Sequence, residues 1–205
     1  MEFLEESKQP EPYFSDIHKF VGCINISDGI VDITDPCYDD DTWCARFGHK
    51  VKPGIYKCYI DVINYPYKYI CQQCDYAVLV EGHNVGDLIC CDDHRIMQLT
   101  IIHEDNDFIL NNDEYPDIFE LIDNNIGVDA GLCGFYNHKP NLSGDDWDKF
   151  WQNLDEYKGC TCDCNHGNGI TVSSGFGDGS YSLYEIKYDN EVCGLQLVFS
   201  EEEEE

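Results

Sequence analysis

Positive charge is scarce in this chain. Lysine and arginine together number 12 in 205 residues, against 41 aspartates and glutamates, and the formal net charge at pH 7 is −29. Such a surface repels phosphate backbones, which argues against direct nucleic-acid binding. It suits a cation or a basic partner protein, and in its sharpest form an acidic decoy whose carboxylates imitate phosphates. The plainer reading is a soluble acidic protein. No apolar run approaches the roughly 18 residues of a membrane span. The opening "MEFLEESKQPEPYF" lacks the basic n-region and apolar core of a secretory signal. A cytoplasmic, membrane-free setting is therefore expected, in which thiols stay reduced. The chain also lacks G-x-x-x-x-G-K-[ST], G-x-G-x-x-G at a strand-to-helix junction, and H-E-x-x-H. "DDDTWC" has neither the glycine nor the closing glutamate of an EF-hand loop.

Apolar residues are plentiful. At 42% hydrophobic and 13% aromatic, the composition is that of a globular chain. Residues 1–18 read as a loose polar arm, 19–200 as one domain, and the like-charged 201–205 as a solvated tail. Most of the domain reads as strand. "FVGCINIS" (20–27) and "GIVDIT" (29–34) flank Asp28-Gly29 and suggest a short hairpin. "PGIYKCYIDVIN" (53–64) alternates, with Tyr56, Cys58, Ile60 and Val62 on the face expected to be buried. "YAVLVEG" (76–82) and "DLICC" (87–91) read as a strand pair, and "RIMQLTIIH" (95–103) as another strand. "IGVDAGLCGFY" (126–136) reads as strand, turn, strand, and 180–188 with 191–199 as a hairpin turning at Asp189-Asn190. One amphipathic helix is predicted over 143–157, with Trp147, Phe150, Trp151 and Leu154 on one face. A weaker helix is predicted near 115–123. The expected class is α+β: a β-rich single domain, a sandwich or a strongly curved antiparallel sheet, with one packed helix.

Thirteen cysteines stand out. Cys71-x2-Cys74 followed by Cys91-x2-His94 has the spacing of two knuckles joined by a hairpin, and is a candidate for structural zinc. Cys90 would serve nearly as well as Cys91, and ordinary strand cysteines would look the same. Cys160, Cys162, Cys164 and His166 form a second soft-metal candidate, the alternative being a loop of rich composition. Catalytic signals are weak. Asp35, Asp129 and Asp178 each lie among small or turn-forming residues and could converge on an acidic pocket, with Cys44, Cys37 and Tyr181 as further lining candidates. "SSGFGDGSY" (173–181) reads either as a ligand-cradling loop or as a tight turn into the last hairpin.

In order, "DPCYDDDTWC", "VKPGIYKCYIDV", "RIMQLTIIHED", "IGVDAGLCGFY" and "SSGFGDGSYSLYEIKYDNEVCGLQLVF" resemble an uncharacterised family of bacterial and phage-encoded proteins. Its members carry DPCY and TWC, a P-G-aromatic strand, V-D-[AS]-G, and S-G-aromatic-G-D-G-x-Y before a final hairpin. The resemblance spans about 22–199 and implies a fold and a setting rather than a reaction. The segment 67–94 and "CTCDCNH" depart from the pattern, so any zinc would be an embellishment of this member. The leading expectation is an acidic binding or regulatory protein, acting on an unknown protein or small molecule and carrying a candidate structural zinc. An enzyme, a hydrolase or transferase working through Asp35, Asp129 and Asp178, is the alternative. An acidic nucleic-acid mimic that inhibits a basic partner is the third reading.

Overall fold

The computed structural model describes residues 12–38, 45–46, 50–65, 93–111, 118–139, 145–154, 160–164 and 167–199. Among the described residues, eleven strands run in chain order: β1 (Tyr13–Ile26), β2 (Asp32–Thr34), β3 (Ala45–Arg46), β4 (Gly54–Tyr65), β5 (Asp93–His103), β6 (Phe119–Val128), β7 (Leu132–Asn137), β8 (Cys160–Cys164), β9 (Gly167–Ser173), β10 (Gly179–Tyr188) and β11 (Glu191–Val198). A 3-10 helix, Glu104–Asn111, follows β5, and an α-helix, α1 (Asp145–Asn153), follows β7. The strands form a six-stranded sheet in the order β1-β4-β5-β11-β10-β6 and a five-stranded sheet in the order β3-β2-β7-β9-β8. All the strand pairings among the described residues are antiparallel.

One hydrophobic core joins the two sheets. Ile33, Phe135, Ile170 and Val172 from the smaller sheet cluster with Ile60, Leu99, Ile101, Leu195 and Leu197 from the larger. Strand β4 buries the predicted face, Tyr56, Cys58, Ile60 and Val62. Strand β5 is covered on both sides. Its outward-facing Ile102 packs with Ile109 and Leu110 of the 3-10 helix and with Ile186 and Cys193. A strand covered on both faces reads as a nearly continuous apolar run, as "IMQLTII" does.

Several expectations change. Strands β1 and β2 do not form a hairpin: β1 pairs with β4, whereas β2 pairs with β3 and β7 in the other sheet. The Asp28-Gly29 turn is a crossing between sheets. Asn137 fixes it, accepting from the Ser27 amide and hydroxyl and donating to Asp28 and to the Ile30 carbonyl. The predicted helix near 115–123 is overturned where it is described, because Phe119 to Val128 form edge strand β6. There, pairing of β6 with β10 outweighs weak local helix preference. Strand β1 begins at Tyr13, inside the stretch expected to be an arm. The expected strands at 76–82 and 87–91 lie outside the described residues. Helix α1 packs Trp147, Phe150 and Leu154 against Leu132 and Tyr136, but Trp151 is 50% exposed, at the margin of a stripe that meets little more than β7. The last hairpin forms as predicted, with Asp189 and Asn190 both at positive φ (51° and 65°), the backbone of a two-residue primed turn. No helix among the described residues is long and apolar enough to cross a membrane.

Candidate functional site

The segments that carry the predicted aspartates are tied together beside the end of β2. Asp35 follows β2 and is fully buried. Its Oδ1 accepts the Cys37 amide at 2.8 Å, closing an Asx turn over Pro36. Its Oδ2 accepts the amides of Asp129 (3.1 Å) and Ala130 (2.7 Å) in the β6–β7 turn. The Gly131 carbonyl then accepts the Ser174 amide at 3.0 Å, tying that turn to the glycine-rich loop before β10. Within the loop, Gly177 O receives the hydroxyls of Ser174 (2.6 Å) and Tyr181 (2.8 Å). Burial raises the Tyr38 phenol first, and the charges of Asp129, Asp35 and Asp178 then add to it. The charges of all three carboxylates therefore bear on one phenol.

Their chemistry is mainly structural. Asp35 has both oxygens occupied by backbone amides, and Asp129 and Asp178 are exposed. Tyr181 is a core residue, its ring edge-on to Phe199 at 5.2 Å. Burial, followed by the Asp35 charge, pushes the Cys37 thiol up to about 12, so it is not a thiolate nucleophile at neutral pH. Among the described residues no group of three His, Cys, Asp or Glu side chains could hold a metal ion. Cys44, Cys71, Cys74, Cys91 and His166 lie outside the described residues. His94 is exposed and sits opposite Asn64 near the start of β5. In β8, Cys160, Cys162 and Cys164 pair in register with Val172, Ile170 and Gly167.

A second place is a true concavity. The segment 50–53 leads into β4 and is held to β11 by the Lys52 amide, which donates to Val192 O at 3.2 Å. Between this segment and the β10–β11 hairpin lies a cleft of about 490 Å³, lined by Lys50, Lys52, Lys187, Glu185, Glu191 and Val192 among others. That volume lies within the usual range for small-molecule sites. Three of the chain's 12 basic residues line this one cleft. Lys52 bonds Asp105 at 2.8 Å, which holds the ammonium above its ordinary range. Lys187 bonds Glu120 at 2.8 Å and also meets Glu185; these contacts, Glu120 first, raise it to about 12.

Glu185 is the unusual group. It continues the inward phase of β10 after Tyr181 and Leu183, and is only 3% exposed. Oε1 meets the Lys187 ammonium, whereas Oε2 is buried with no hydrogen-bond partner. A buried acceptor left unsatisfied costs about 1–3 kcal/mol, more when it is charged. Native proteins carry few such groups, and each calls for a reason. The sequence did carry one signal for it: in "SYSLYEIKY" a carboxylate occupies a position whose phase is apolar.

The geometry defines an antiparallel two-sheet protein with a charged cleft at its rim. No family model, curated protein or solved structure matches the chain.

Proposed function

We propose that this is a non-catalytic binding protein, built as a sandwich of two sheets, that holds a small-molecule ligand in the lysine-lined cleft. One observation carries the reading: Glu185, a buried carboxylate whose Oε2 has no partner, lines a cleft of ligand size beside three lysines. Hydrophobic collapse alone does not place a carboxylate there, because desolvating it is unfavourable. A charged small-molecule library, screened by thermal shift and followed by amide chemical shifts, tests the idea. Hits should move the amides of Val51, Lys52 and Val192. Hits that consistently move other surfaces and leave these amides still would sink it.

The catalytic reading on Asp35, Asp129 and Asp178 has in its favour that the charges of all three bear on the Tyr38 phenol. It is weakened by the occupation of both Asp35 oxygens. A zinc staple on Cys71, Cys74, Cys91 and His94, or on Cys160, Cys162, Cys164 and His166, rests on ligand spacing. Structural zinc binds tightly, so elemental analysis of purified protein should find about one metal per chain for each such site. Less than roughly 0.2 would rule the staple out. The motif resemblance supports a bacterial or phage setting.

A further inference from the structure

We infer that the ligand of this cleft is zwitterionic: a small molecule whose ammonium pairs with the Glu185 carboxylate and whose carboxylate meets Lys50 and Lys52. The inference rests on the cleft being the ligand site and adds the chemistry that the site selects.

The charges on the lining decide the class. Lys50, Lys52 and Lys187 are cations, and Glu185 and Glu191 are anions. A purely anionic ligand would meet two carboxylates, one of them nearly desolvated. A purely cationic one would meet three ammonium groups. A molecule bearing both charges can satisfy both sets, and opposite charges placed in complementary fashion give specificity as well as attraction. Each lysine is differently engaged. Lys187 is held by Glu120 and Glu185 and serves to fix the buried carboxylate. Lys52 is shared with the exposed Asp105, where solvent competes for the pair. Lys50 is exposed, and no carboxylate among the described residues is paired with it. Lys50 and Lys52 are therefore the lysines that can turn to a ligand. Glu185 already has one oxygen on Lys187, and its other oxygen is a buried acceptor without a donor. An ammonium is the strongest small-molecule donor for such an oxygen, because both partners are charged. Free amino acids and short peptides share this chemistry, and the cleft volume admits either.

Calorimetry with three matched probe sets tests this: free amino acids and dipeptides, their N-acetyl forms, and their C-terminal amides. The free forms should bind at least about tenfold more tightly than either blocked form, the loss expected for one charge-assisted hydrogen bond. The Glu185→Gln variant should abolish the preference for the free ammonium over the N-acetyl form, and Lys50→Gln with Lys52→Gln the preference for the free carboxylate. A thermal melt confirms that each variant folds, and amide shifts in the wild type confirm where the probe sits. Whichever of amino acids or dipeptides binds more tightly identifies the source. Equal binding of free and N-acetyl forms would overturn the zwitterion while leaving the cleft a ligand site. No binding of any probe at millimolar concentration overturns the zwitterion too. The library screen then decides separately whether the cleft binds anything.

Discussion

Asp35 shows how one side chain can look catalytic and act as a clamp. It joins the end of β2 to the β6–β7 turn through three backbone amides. In a buried site those amides have no water to turn to. Asp35→Ala should therefore destabilise the protein by about 3 kcal/mol or more, read as a shift in the urea midpoint, because several buried donors lose their acceptor together. A loss below roughly 0.5 kcal/mol would mean that the clamp is not what holds the turn. Glu185 is the opposite case. Its phase in β10 is that of a core residue, yet it ends in a charge with an unsatisfied oxygen. Its local pattern was visible in the sequence, but the cleft beside it was not, since segment 50–53 reaches it from more than a hundred residues away.

At the level of elements, the glycine-rich loop before β10 chooses between two sequence readings. It is a turn that closes on β5 rather than an open cradle. Gly175 has φ +64°, and a Cβ there would run into the Ile96 carbonyl. Gly177 has φ +89°, with nothing within 4 Å of an added Cβ. Both positions penalise an L side chain through backbone conformation, by about 1–2 kcal/mol. Only Gly175 adds a collision with main chain. Gly175→Ala should thus lower stability clearly more than Gly177→Ala in parallel denaturant titrations; equal losses would show that Ile96 yields easily. Elements with strong local pattern were legible: β4 by its alternation, α1 by its apolar stripe, and the last hairpin by Asp189-Asn190. The edge strand β6 was not, because "FELID" has no strand preference that survives without β10 beside it. The β1–β2 crossing was missed for a related reason. A turn signal gives a change of direction but not the sheet that the chain enters next.

Across the whole molecule, charge sets the response to pH. Lys187 is held protonated by Glu120 and Glu185, and its pKa is raised to about 12. A raised folded-state value stabilises in full below the ordinary lysine pKa of about 10.4, and this contribution is lost as pH rises through the folded value. Melting temperatures of wild type should therefore fall more steeply between about pH 10.4 and 12 than those of Lys187→Met. Parallel curves would show that the pairing persists too weakly in solution to matter, which is common for exposed pairs. The raised tyrosines Tyr56 and Tyr59 contribute alkaline loss of their own to both proteins, so only the difference between the curves reports Lys187.

The acidity, the β-rich class, the main helix and the last hairpin can be read from the chain alone. These follow from composition and from periodicities of two and 3.6 residues, which each segment carries on its own. The sheet order, the structural role of Asp35 and the cleft around Glu185 come from the folded arrangement. Those depend on contacts between residues far apart in the chain, and a single segment holds no record of which distant backbone amide or lysine will arrive beside it.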